Sequence, residues 1–156
     1  MFQTACCAGH VFLLAACLLP GVAGGQRVLR PLPPAFYTTY SYTAYTVVDL
    51  TTGEPPTQVP GVGGTLALRA DGTYDKRLSL LMGDSGPRMF AQHGRFTATG
   101  DSIVFRFTDL KGPDVQRGTY RYSAKTRRLT ITLDGYPTGN KGVYELVATA
   151  PPPGHK

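Results

Sequence analysis

The sequence predicts an all-β fold, an antiparallel up-and-down barrel of about eight strands. Three observations predict it. A Gly-x-aromatic signature recurs as Gly72-Thr73-Tyr74, Gly94-Arg95-Phe96, Gly118-Thr119-Tyr120 and Gly142-Val143-Tyr144, its glycines spaced by 22, 24 and 24 residues. That beat suits repeated hairpins, with each Gly following or sitting within a turn. Apolar and polar residues alternate in short runs between Gly, Pro and Asp clusters, and no segment carries a helical period. Clean alternation implies one buried and one wet face, and closing the sheet removes the edges that invite aggregation.

The elements follow in order. Phe36 to Leu50 is rich in Thr, Tyr and Val and reads as the first strand. Gly53 to Gly64, with Pro55, Pro56 and Pro60, is a loop. Thr65 to Ala70 puts Leu66 and Leu68 on one face and Arg69 on the other. Asp71-Gly72 is a two-residue turn into a strand from Thr73 to Met82. Phe90 to Ala98 comes next, and Gly100-Asp101 turns the chain into Ser102 to Thr108, with Ile103, Phe105 and Phe107 inward and Arg106 outward. Arg117 to Ser123 sets Tyr120 and Tyr122 against Arg121. Ala124-Lys125-Thr126 leads to Arg127–Asp134, with Leu129, Ile131 and Leu133 inside. A loop from Gly135 to Gly142 precedes Val143 to Thr149, where Tyr144 and Leu146 oppose Glu145.

The ends divide the chain further. Val11 to Leu19 is an unbroken apolar run, too short to span a bilayer and suited to the core of an export signal. Ala23-Gly24-Gly25 supplies small residues for cleavage before Gln26. The expected organisation is a signal peptide over 1–25, a Pro-rich extended lead over 26–35, a barrel over 36–150 and a tail over 151–156. Cys6, Cys7 and Cys17 all lie in the signal, so the mature chain has no disulfide framework, thiol nucleophile or thiolate metal site. The expected location is secreted or periplasmic; the alternative is a lipoprotein anchored through Cys17, since Leu14-Ala15-Ala16-Cys17 resembles a lipobox. All 16 Lys and Arg and all 10 Asp and Glu follow residue 26, leaving a net charge of +6. In an exported protein, that charge suits solubility or contact with anionic cell-surface material.

Few constellations carry chemistry. Gly83-Asp84-Ser85-Gly86-Pro87 approaches a serine-protease motif but lacks one Gly, and the histidines after residue 26, His93 and His155, both follow the Ser. It reads as a hairpin loop. The Gly-rich stretch from Gly135 to Gly142 fails phosphate-loop spacing and no helix follows it. His93 is out of phase with Phe90 and Phe96 and faces solvent; no metal site, cofactor or catalytic residue is expected. Lys76 shares its phase with Tyr74, Leu78 and Leu80, so alternation points an ammonium into the barrel. Either a bulge turns it outward, or it lies near the barrel mouth and meets an acid or an anionic ligand. In the first strand, Tyr40 and Tyr42 share one face and Tyr37 and Tyr45 the other; exposed, such rings could stack on sugars, unless the strand is covered on both sides. Arg69, Arg95, Arg106 and Arg121 point outward while the aromatics point inward, so no nucleic-acid surface is expected.

The stretch from Gly64 to Tyr74, the stretch from Gly94 to Ile103, and Gly118-Thr119-Tyr120 with Leu129-Thr130-Ile131-Thr132 resemble the bacterial lipocalin-like domains, small exported β-barrels. The resemblance covers roughly residues 36 to 149 and implies a fold rather than a ligand. It departs on the first strand, where the family's Gly-x-Trp is replaced by the run from Tyr40 to Tyr45. The expected function is a non-enzymatic barrel binding a small apolar or amphipathic ligand, with Lys76, Tyr40 and Tyr42 as candidate ligand contacts. The alternative is a solid barrel serving as a cell-envelope protein-interaction module. Small barrels are often filled by their own side chains, so interior volume separates the two.

Overall fold

The computed structural model describes residues 31–83, 86–135 and 137–149. The expected signal peptide 1–25 with Cys17, the start of the lead and the tail 151–156 lie outside the described residues, as do Asp84, Ser85, Tyr136 and Ala150.

A 3-10 turn (Pro34–Phe36) precedes nine strands: β1 (Thr39–Asp49), β2 (Thr57–Gln58), β3 (Gly63–Leu68), β4 (Thr73–Leu81), β5 (Pro87–Thr99), β6 (Ser102–Asp109), β7 (Gly112–Ser123), β8 (Arg128–Asp134) and β9 (Asn140–Ala148). From β3 onward each strand pairs antiparallel with the next, β1 pairs with β3, and β9 returns to pair with β1. The result is a closed barrel of eight antiparallel strands. The ninth, β2, is a two-residue strand in what reads as a loop; it pairs with Thr46 and Val47 on the edge of β1 that β3 leaves vacant further along.

The predicted inward residues are inward: Leu66, Leu68, Ile103, Phe105, Leu129, Ile131, Leu133 and Leu146 are all buried. Four local features depart from the sequence reading. The β3–β4 connection is a three-residue loop with Gly72 at φ +80°, because Arg69 N–H bonds Thr73 O across it. Asp71 accepts the Thr73 hydroxyl and N–H in that loop, which holds its carboxyl below the ordinary range. Next, β5 starts at Pro87 and β7 at Gly112, earlier than expected: a proline is tolerated as the first residue of a strand, and Leu110-Lys111 forms a tight turn between Asp109 and Gly112. The last strand likewise starts at Asn140, inside the expected loop. Finally, Gly94, Gly118 and Gly142 sit within strands rather than in turns.

The Pro-rich lead ends in structure, not in an extended arm. Its 3-10 turn folds across one end of the barrel and inserts Phe36, which is wholly buried. The Phe36 ring lies 5.5 Å from Tyr37 and Tyr120, 5.4 Å from Tyr122 and 6.5 Å from Phe96. The Tyr40 hydroxyl donates to Phe36 O at 2.7 Å and the Tyr122 hydroxyl to Ala35 O at 3.1 Å. This end is the floor. The opposite end, where β4 meets β5, β6 meets β7 and β8 meets β9, is the mouth.

Candidate functional site

Strand β4 runs from floor to mouth in unbroken register, with Lys76 opposite Leu66 on β3 and Gln92 on β5. There is no bulge, so the outward alternative for Lys76 is excluded and its side chain enters the barrel. It is partly buried and, with Tyr42, Gln92, Gln116 and Tyr144, lines a cavity whose remaining wall is Leu66, Phe105, Ile131 and Leu133. The open space is about 10 Å³, room for the centre of a single water molecule.

Tyrosines surround the amine. The Lys76 Nζ stands 5.5 Å from the centroid of the Tyr144 ring. Tyr144 stacks on Tyr45 at 4.4 Å with a 3° interplanar angle, and meets Tyr42 edge-on at 5.9 Å. The stack exists because of a bulge between Tyr42 and Ala44: Tyr42 pairs with Leu146 and Ala44 with Glu145, leaving Thr43 as the extra residue. The phase of β1 reverses there, so Tyr45 joins the inward face instead of the opposite one. With Tyr37 packed on Phe36 at the floor, no tyrosine from 37 to 45 is exposed, which removes the sugar-stacking surface.

The polar inventory is incomplete. Gln92 Oε1 accepts from the Tyr74 hydroxyl at 2.9 Å. Gln116 Oε1 is buried without a hydrogen-bond partner. Among the described residues the ion pairs are Arg69–Asp75 and Arg128–Glu145, both on exposed side chains, and none reaches Lys76. Burial therefore pushes the Lys76 amine below its ordinary value, and burial first, then neighbouring tyrosines, pushes the Tyr42 and Tyr144 hydroxyls up.

These shifts set a pH dependence. Lys76 binds its proton less well folded than unfolded, so its cost to the fold is present while the amine is charged and fades as pH rises toward 10.5. The buried tyrosines act in the opposite sense: Tyr40, Tyr42, Tyr74 and Tyr144 stay protonated in the fold above their ordinary value of 10.0, and the stability this supplies is lost at higher pH. Melting temperature is expected to climb as pH rises toward about 10, peak near there and then fall. Lys76→Met is expected to stabilise the protein by on the order of 1 kcal/mol at neutral pH and to flatten the climb but not the fall. A circular-dichroism melt series on both proteins checks this; a Lys76→Met protein less stable than wild type at pH 7 would contradict it.

Of the three sequence candidates, Lys76 and Tyr42 meet at this cavity. Tyr40 does not: it is wholly buried at the floor, its hydroxyl committed to Phe36. Gln92 and Gln116 escaped the sequence reading, although each shares the inward phase of an aromatic on its own strand, Phe96 and Tyr120. A second feature also escaped it. Leu50, Leu81, Met82, Met89, Phe90, Leu110 and Val115, the exposed large hydrophobics among the described residues, all lie toward the mouth. The apolar pairs Leu81-Met82 and Met89-Phe90, which break alternation beside a Gly-rich turn, were the legible signal. Arg88 lies over the Phe90 ring at 5.4 Å.

Of the protease-like stretch, Gly83 and Gly86 lie between β4 and β5, where Met82 N–H bonds Gly86 O, Pro87 opens β5, and Asp84 and Ser85 lie outside the described residues; His93 is exposed on the outer face of β5. Arg69, Arg95, Arg106 and Arg121 are exposed and separated from the interior aromatics. Among the described residues no three His, Cys, Asp or Glu side chains gather as a metal site, and no helix is long and apolar enough to cross a membrane. No family model matches the chain, and no curated protein matches its sequence.

Proposed function

We propose that this chain is an exported, lipocalin-like, non-enzymatic binding module that takes a small amphipathic ligand at the barrel mouth. The observation that carries the reading is the concentration of exposed Leu, Met and Phe side chains at one end of a barrel whose other end is plugged. Soluble proteins rarely gather such residues without something to cover them. A space of about 10 Å³ leaves no room for an enclosed cargo, so the apolar part of the ligand lies across the rim of Leu81, Met82, Met89 and Phe90.

Native mass spectrometry on protein purified from the organism that makes it tests this. An added mass lost on denaturation, on a chain starting at Gln26, is the expected result. Met89→Ser with Phe90→Ser is expected to weaken retention by about tenfold, from the loss of two apolar contacts. A bare chain whose mass is unaltered by incubation with amphiphiles sinks the proposal. The fullness of the interior favours a second reading, a module that docks another envelope protein through the same rim. Under that reading the added mass is a polypeptide.

A further inference from the structure

Resting on the mouth-binding reading, we infer that the Lys76 cavity is an anion site, and that the ligand it serves is a carboxylate-headed amphiphile. An ammonium inside a barrel is costly unless it meets a negative charge. Lys76 has no carboxylate partner among the described residues and no hydrogen bond; its one contact of note is the face of Tyr144. The acid that shares the inward phase on β7, Asp114, is exposed and accepts from the N–H of Val115. Among the described residues the charge is therefore unanswered.

The walls suit an incoming oxygen. Gln92 Oε1 accepts the hydrogen bond of the Tyr74 hydroxyl, which leaves its amide N–H groups to donate. Gln116 has no partner on its buried Oε1, so half a turn of its amide presents the N–H₂ group at no cost in hydrogen bonds. Ammonium and amide donors around a water-sized space accommodate one oxygen of a carboxylate. The tail leaves toward the exposed apolar residues of the rim, Phe90 among them.

The test separates the head group from the tail. Purified protein is titrated by calorimetry with decanoate and with decanol, and its melting temperature is followed in sodium acetate against sodium perchlorate at equal ionic strength. Decanoate is expected to bind at least about tenfold more tightly than decanol, the worth of one charge-assisted hydrogen bond. Lys76→Met is expected to reduce decanoate to the decanol level and leave decanol unchanged, while Lys76→Arg keeps most of the preference. Acetate is expected to raise the melting temperature of wild type and of the Met89→Ser, Phe90→Ser protein alike, and not that of Lys76→Met. Equal binding of decanoate and decanol, or decanoate affinity insensitive to Lys76→Met, overturns the anion site and leaves the mouth reading intact. An acetate effect that needs Lys76, with neither amphiphile bound, keeps the anion site and overturns its amphipathic occupant together with the mouth reading.

Discussion

Phe36→Ala is expected to lower the stability of the barrel by about 3–5 kcal/mol, the upper range for truncating a buried aromatic. Three features place it there. The side chain is wholly buried, it touches four other aromatic rings, and it belongs to a turn rather than to the sheet, so no ladder of hydrogen bonds survives to hold the floor in place. Edge-on contacts such as that with Tyr122, at 89°, add to the area buried. The void cannot collapse easily, because the rings around it are fixed by strands on several sides. Tyr40→Phe is the informative control: it keeps the ring and removes only the bond to Phe36 O, for about 1 kcal/mol. Denaturant titration of the two variants should rank them clearly, and a loss below about 1 kcal/mol for Phe36→Ala would mean that the turn does not close the barrel.

The second large effect belongs to the strand glycines. A methyl on Gly118 would stand 2.0 Å from Thr132 O, and one on Gly94 2.1 Å from Arg106 O. These obstacles are backbone atoms of the neighbouring strands, β8 and β6, so no rotamer change relieves them. The strands must separate or the barrel must change its curvature, and overpacking of that kind costs about 3 kcal/mol or more. Such glycines mark where a strand bends sharply to follow a small barrel. Gly118→Ala and Gly94→Ala are therefore expected to destabilise severely or to prevent closure. Gly53→Ala makes a fair comparison: φ is +70° there, yet nothing lies within 4 Å, and only the strained backbone costs, about 1 kcal/mol. Comparable midpoints for Gly118→Ala and Gly53→Ala in guanidinium would refute the argument.

The same glycines show how far the sequence could be read. Their spacing pointed to repeated hairpins, and the alternation around Ile103-Val104-Phe105 or Leu129-Thr130-Ile131 assigned inside from outside correctly, because residues on a pleated strand have no other choice. What alternation cannot register is an inserted residue. Thr43 looks like any strand threonine, and its bulge depends on how β1 aligns with β9, a partner on the far side of the chain. Tyr45 was misplaced for that reason. The 3-10 turn at the end of the lead is not legible in its composition: the prolines read as an extended segment, while Pro34 at the start of the turn supplies a φ suited to it. At the candidate site, the inward phase of Lys76 was legible from Tyr74 and Leu78, and its lack of a bulge was not. Its approach to Tyr144 follows from barrel closure, and no local pattern encodes a contact across the lumen.

Closure has a temporal side. The seam between β1 and β9 is drawn tight by Thr149, whose N–H and hydroxyl both reach Thr39 O, a bond spanning 110 residues of chain. Hairpins such as β3–β4 assemble within about 1–10 μs, but a contact that waits for both ends of the domain belongs to the slow class, milliseconds to seconds. Any partly synthesised or partly threaded chain therefore carries two open strand edges, one from its first strand and one from its newest. The zipper has no intermediate tooth: protection from intermolecular β-pairing arrives only with the last nine residues of the sheet.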